Sequence, residues 1–361
     1  MSKTWAIIGG GNGGQAMAGH LASMGEKVRL FDVVPATVDA LNAKGVINIH
    51  HAVEASGSLE FATTDIAKAM DGADVIMMIL PSIYHESMAR KMVPHLADGQ
   101  VVVLHPEASC GAMAFRKVME DMGCKADVIV AGCSTLLYSV RAREPGEVYI
   151  FAIKDEVPVA ALPASDNDRL MDALNPQLPW FRCAGNVLIT SLDNLNAMAH
   201  PAPMLLMTSR IEARPFTPFM YYRQGMTPSI GRYVEAMDRE RVAIAKAYGF
   251  DERSINQEYV DMYECGTPDM PLDQLMRNNE GYEGIMCADT LATRYVLEDI
   301  PYSLVAIRAL GQVAGVPTPC IDAVITLGYT VLADKMDEGR TARMLGIEGM
   351  SCSELREYIL G

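Results

Sequence analysis

The chain lacks the features that would place it in several common classes of protein. Among its eight cysteines there is no CxxC pair. Such a scatter suits neither a zinc site nor a disulfide-stapled scaffold; it reads as free thiols in a reducing compartment, with no metal site expected. No run approaches the roughly 18 uninterrupted apolar residues of a membrane span, and the most apolar stretch, VIMMILP, is only strand-length. The segment MSKTWAIIGG carries one lysine and no apolar core of leader length, so a cytoplasmic location is expected. Positive charge is scarce, 30 Lys and Arg against 45 Asp and Glu, for a formal net charge of −15. That balance argues against nucleic acid as a partner, because phosphate binding needs a basic face. Anions can still be held locally, by helix N-termini and a few arginines.

Half of the 361 residues are apolar and 21% are charged, the profile of a soluble globular chain long enough for two domains. The 25 methionines read as adaptable core filler. In the first half, strand-like runs (TWAII, KVRLFDV, ADVIMMILP, QVVVLHP, DVIVAGCS) alternate with helical stretches such as GQAMAGHLASMG and YHESMARKMVPHLADG. Alternation of this kind implies a parallel sheet covered on both faces. EVYIFAIK is expected to extend or edge that sheet. Beyond about residue 186 the strand runs stop and helical patterns take over. In TPSIGRYVEAMDRERVAIAKAYGF, Thr227 can cap, Pro228 suits the first helical position and Gly249 ends the helix. The expected architecture is α/β: a Rossmann-type doubly wound parallel sheet over residues 1–185, then an all-helical C-terminal domain over 186–361. No internal repeat or low-complexity linker interrupts it.

Five glycines fall between Gly9 and Gly14, directly after the first strand run. Gly9, Gly11 and Gly14 satisfy G-x-G-x-x-G in the strand-to-helix context that dinucleotide binding requires. The first glycine permits the tight turn, the second lets a pyrophosphate approach the backbone, and the third lets helix and strand pack closely. The next strand ends at Asp32, where a carboxylate can accept from a ribose hydroxyl and would repel a 2′-phosphate. NAD is therefore expected over NADP, with FAD as the other dinucleotide the motif admits.

A dinucleotide fold binds a cofactor, and the chemistry must come from other groups. Hydride transfer to a C=O or C=N carbon needs a proton donor, most often histidine. Of seven histidines only His200 lies in the helical half, followed by Pro201 and Pro203, which break helices. It reads either as an acid/base group at a helix break or as a structural histidine at a kink. Asn196, four residues earlier, can share its face. His85 and His105 lie near the C-terminal ends of strand runs, where this fold binds ligands. In the segment Arg294–Tyr302, Arg294 and Glu298 can form a plain helix-surface pair, and Asp299, beside Pro301, can reach inward to orient a histidine. Pattern alone does not choose between these.

Several long stretches together resemble the octopine/nopaline (opine) dehydrogenase family. They are GGGNGG, LPSIYHESMARKMVPHLADGQVVVLHPEASCGAMAF, STLLYSVRAREPGEVYIFAIKDEVPVAALP, His200-Pro201 with TSRIE, RQGMTPSIGRYVEAMDRERVAIAKAYG and RYVLEDIPYSLV. The resemblance implies an NAD-dependent oxidoreductase that condenses an amino-acid amine with a 2-oxo acid, habitually pyruvate, and reduces the imine with NADH. It implies catalysis by His200 with Asp299 orienting it, and substrate binding by Arg294 and Asn196. The cofactor would be held by Gly9, Gly11, Asn12, Gly13, Gly14, Asp32 and Pro81. A homodimer is also compatible with it. Two positions depart from the family's pattern. Glu107 follows Pro106 where a glycine is usual, and Ala131-Gly132-Cys133 stands where an acidic residue is usual. Both are expected at strand ends facing the crevice, where loss of a carboxylate would disfavour a cationic amino donor. Two other readings remain. One is a carbonyl-reducing dehydrogenase of the same two-domain build, of the glycerol-3-phosphate or ketopantoate type, in which a lysine of the helical domain is usual. No lysine occurs here between Lys154 and Lys246. The other is a non-catalytic NAD-binding protein.

Overall fold

The computed structural model describes residues 2–361 and divides into two compact units, one of residues 2–191 with 357–361 and one of residues 192–356. The division falls after Ser191, within the helix Val187–Leu192.

The first unit holds β1 (Thr4–Ile8), β2 (Lys27–Phe31), β3 (Val46–His51), β4 (Ala55–Ser58), β5 (Phe61–Thr63), β6 (Val75–Met78), β7 (Val101–Leu104), β8 (Ile129–Cys133), β9 (Tyr138–Glu144), β10 (Glu147–Ile153), β11 (Val157–Leu162) and β12 (Phe181–Cys183). The large sheet runs in the order β12-β11-β8-β7-β6-β1-β2-β5. From β8 to β5 all neighbours are parallel, whereas β11 is antiparallel to β8 and carries β12 parallel to itself. Every residue of β6, β7 and β8 is buried, which is why these strands are unbroken apolar runs. The chain leaves β1 toward β2 on one side and later returns to β6 on the other. The glycine turn after β1 therefore lies at the point where strand order reverses, the usual ligand position of such sheets.

One strand is not where the sequence reading put it. EVYIFAIK neither extends nor edges the large sheet; as β10 it belongs to a separate four-stranded sheet, β4-β3-β10-β9. Its burial explains the difference. Val148 and Ile150 are fully buried while Phe151 is half exposed, a one-faced strand that could not sit in a doubly covered sheet. The turn at Pro145-Gly146 pairs it antiparallel with β9 instead.

The second unit is helical. Its longest helix, Pro228–Ala247, begins on Thr227, whose hydroxyl accepts from the Ile230 N–H, and it ends ahead of Gly249 in the left-handed region. Ile230, Val234, Met237, Ile244 and Ala245 form the buried stripe. The same face also buries Arg241 completely, ion-paired to Asp238 (2.7 Å) and Glu252 (3.3 Å). Among the described residues no helix is long and apolar enough to cross a membrane, and all eight cysteines are free thiols.

Arg241 and Arg253 stand in a group of carboxylates, Asp193, Glu252 and Glu258, whose ligand-type oxygens lie within 4.8 Å of one another. Arg253 pairs with Glu258 at 2.5 Å. Burial pushes the carboxyls of Glu252 and Glu258 up to about 7, against the pull of the guanidinium groups. An acid whose pKa is raised on folding binds protons more tightly in the native state, so it costs stability as pH rises from its unfolded value through its folded one. Melting curves between about pH 5 and 7.5 should show the parent losing stability with rising pH, and a Glu252→Gln, Glu258→Gln double variant losing less. Parallel curves for the two proteins would refute this.

Candidate active site

The glycine turn is shaped for an anion. Gly9 has φ +116°, a conformation side chains disfavour, and a Cβ at Gly14 would collide with the Gly9 carbonyl oxygen. A Cβ at Gly11 would meet nothing within 4 Å, so open space faces the turn there. The helix that follows, α1 (Asn12–Ser23), has no side chain capping its first turn and no acidic residue within it. Its first N–H groups are thus of the kind that a pyrophosphate satisfies. The fit to a dinucleotide is good on these grounds. Asp32 Oδ2 accepts from the Gly10 N–H at 2.5 Å and Oδ1 from the Val34 N–H at 2.8 Å. The carboxylate therefore fastens the end of β2 to the turn, and each oxygen keeps lone-pair capacity for a hydroxyl. Asn12 has a structural task as well, accepting from the Ala142 N–H of β9 at 2.9 Å. Pro81 is exposed just past β6, ahead of the single turn Ser82–Tyr84.

His105 and His85 are engaged elsewhere. His105 is fully buried, its Nε2 accepting from the Leu137 N–H, and burial holds its imidazole down at about 3, neutral at ordinary pH. His85 is buried with Nε2 at 3.0 Å from the Leu80 carbonyl.

In the second unit three helix irregularities converge. His200 sits at the joint between the helices Leu195–Ala199 and Pro201–Leu206. Pro203 has no N–H for the Ala199 carbonyl, and the Tyr221 hydroxyl donates to it (3.1 Å) and to the His200 carbonyl (2.8 Å). Asp299 lies where the segment 294–314 breaks before Pro301, and the Leu304 N–H reaches back to the Asp299 carbonyl in a π-helical turn. A second π-helical turn, Tyr221–Gly225, carries Tyr221 and Tyr222. The result is a closed set of contacts around one imidazole. His200 Nδ1 is 2.8 Å from Asp299 Oδ2, and Nε2 is 2.9 Å from the Tyr222 hydroxyl. The Tyr295 ring stacks on the imidazole at 3.8 Å and 11°. The His200 and Asp299 side chains are 8% and 9% exposed. With the carboxylate accepting from Nδ1–H, Nε2 is the nitrogen left to exchange a proton.

Of the carboxylates in this segment, Asp299 is the one against His200. Glu298 accepts from Arg294 Nε at 3.2 Å, with the arginine side chain 67% exposed. Asn196 is bound to His200 through backbone only, the His200 N–H donating to its carbonyl, and its side chain is exposed. The tyrosines went unread in the sequence; the signals available were the adjacent pair in FMYYRQG and the tyrosine next to Arg294.

Residues 183–332 match the family model of the NAD/NADP octopine/nopaline dehydrogenase α-helical domain, and residues 4–111 match that of the NAD-dependent glycerol-3-phosphate dehydrogenase N-terminus. An opine dehydrogenase of Arthrobacter sp. (strain 1C) is 36% identical over 99% of both chains. The chain belongs to the opine dehydrogenase family. It is an NAD-dependent oxidoreductase of the class acting on the CH–NH bond of secondary amines. A tauropine dehydrogenase of Arabella iricolor is 24% identical, over 88% of this chain and 89% of its own. A solved octopine dehydrogenase with NADH and L-arginine has the same fold, with a TM-score of 0.82 at 21% identity, over all of this chain and 98% of that one.

The two positions that depart from the opine dehydrogenase pattern touch one another. Glu107 is not at an open crevice but fully buried, with its carboxyl group directly over Gly132, where a Cβ would collide with it. It accepts from the Ala112 N–H (2.9 Å) and from the Thr190 hydroxyl (2.5 Å). The carboxyl group beside β8 is thus supplied from the end of β7. The pair makes a testable claim about packing. Gly132→Ala should destabilise the protein by about 1–3 kcal/mol, and in a Glu107→Ala background that cost should fall to within ~0.5 kcal/mol of zero. Denaturant melts of the four proteins measure it; equal costs in both backgrounds would show that the two residues do not interact.

Proposed function

We propose that this protein reductively condenses the amine of an amino acid with a 2-oxo acid, pyruvate first among them, through an imine reduced by NADH, and catalyses the reverse oxidation. The observation that carries the reading is the buried His200–Asp299 pair, an imidazole held in one tautomer with a proton to give or take. Bound NAD(H) supplies the hydride. The chain's own residues do the rest. Gly9, Gly11, Gly13, Gly14 and Asn12 form the turn and helix start for the pyrophosphate, with Asp32 at the ribose and Pro81 at the rim. His200 moves the proton that the amine nitrogen or the carbonyl oxygen needs, and Asp299 orients the ring and stabilises its charge. Arg294 is exposed enough to take a substrate carboxylate in a two-point contact, a task its planar guanidinium suits. Asn196, one turn before His200, lies beside the substrate.

A carbonyl reductase of the glycerol-3-phosphate or ketopantoate type is disfavoured by the absence of any lysine between Lys154 and Lys246. A matrix assay of amino acids against 2-oxo acids with NADH tests the reading: oxidation should require both partners, and rapid turnover with the oxo acid alone would overturn it. His200→Ala should lower kcat by about 10²–10⁴-fold with NADH binding unchanged. Asp32→Ser should lower the ratio of kcat/KM for NADH over NADPH by about tenfold or more. An unchanged ratio would remove Asp32 from the ribose.

A further inference from the structure

Both nitrogens of His200 are already engaged, Nδ1 by Asp299 and Nε2 by the Tyr222 hydroxyl. A substrate nitrogen cannot reach Nε2 unless Tyr222 moves away, and Tyr222 is held in place. Its ring stacks on Tyr282 at 3.8 Å and 13°, meets Tyr221 edge-on at 4.8 Å and 89°, and is 5% exposed. The Tyr222 hydroxyl also interacts with that of Tyr295, whose ring covers the face of the imidazole. Tyr295 is the half-exposed member of the set and follows Arg294 in the chain.

We propose that Tyr222 and Tyr295 form a two-hydroxyl relay through which His200 exchanges its proton with the substrate. The proposal rests on the reading of His200 as the acid/base. In the oxidative direction, the N–H bond of the secondary amine breaks and its proton forms a new O–H bond on Tyr295. Tyr295 passes its own proton to the Tyr222 oxygen, and Tyr222 passes its proton to Nε2. The substrate carbon loses its hydride to the oxidised cofactor, leaving a neutral imine and an imidazolium on Asp299. Three bonds to hydrogen form along the relay and three break, so both hydroxyls end as they began. Burial raises the Tyr222 phenol well above its ordinary pKa, so the hydroxyl conducts protons without resting as a phenolate. Tyr221, Tyr282, Asp299, Cys287 and Arg294 are the other titratable groups around Tyr222 and Tyr295. Tyr295, which meets the substrate, is the catalytic member, and Tyr222 acts through it.

The test uses the full chain, pyruvate and the amino donor that oxidises NADH fastest with it. Tyr222→Phe keeps the ring and its packing and removes only the hydroxyl. It should lower kcat about 100-fold, with KM values and NADH binding by fluorescence changed less than about threefold. The proton inventory in mixed H₂O and D₂O should be bowed in the parent and straight in the variant. Tyr295→Phe should do the same, and it carries the comparison if Tyr222→Phe no longer binds NADH. A kcat within about threefold of the parent and an unchanged inventory overturn the relay. His200→Ala assayed alongside separates the failures. Turnover lost there but kept in the tyrosine variants overturns the relay alone, whereas turnover kept in His200→Ala overturns the acid/base reading as well.

Discussion

The helical unit is organised around a single hydrogen bond, from His200 Nδ1 to Asp299. Burying a carboxylate costs several kcal/mol unless it is paired and hydrogen-bonded, so every element nearby has to bring its partner close. The two residues are far apart in the chain, and neither lies in a regular helix. Pro201 and Pro203 interrupt one helical segment at the histidine, and Pro301 interrupts another at the aspartate. Each interruption frees backbone groups that must be satisfied, and the Tyr221 hydroxyl meets one of them, the Ala199 carbonyl, while also reaching the His200 carbonyl. The breaks are therefore not defects of the fold; they aim the two side chains.

The same economy operates at the glycine turn. Asp32, proposed to meet the ribose, already holds the Gly10 N–H, and Asn12 already holds β9. Gln15 spans the turn too, donating to the Gly10 carbonyl and accepting from the Gly146 N–H. A ligand at this turn would meet groups that have been positioned before it arrives, and that lowers the entropy lost on binding.

Much of the first unit could be read from the chain because its signals are local. The apolar runs of β6, β7 and β8, the glycine turn between β1 and α1, and the Thr227–Pro228 helix start each depend on a few neighbouring residues. β10 was misplaced because a strand's sheet is decided by its pairing partners, although its alternating burial was visible in the order of its residues. Glu107 was misread for a related reason: the space it fills belongs to Gly132 on another strand. The tyrosines around His200 come from two separate segments, the pair Tyr221-Tyr222 and Tyr295, and no spacing rule connects them.

What the sequence alone determined, then, is what short-range chemistry determines: a doubly wound sheet, a turn with room for a pyrophosphate, an acidic residue at the next strand end, and a histidine held out of helix by its prolines. It also supplied the family resemblance, which pointed to Asp299 without a geometric reason. Only the tertiary structure decided that Asp299 and not Glu298 meets the imidazole, and that a tyrosine occupies the other ring nitrogen. It decided too that the Glu107 carboxyl group packs over Gly132. These are pairings between residues distant in the chain, and packing selects among partners that local sequence leaves equivalent.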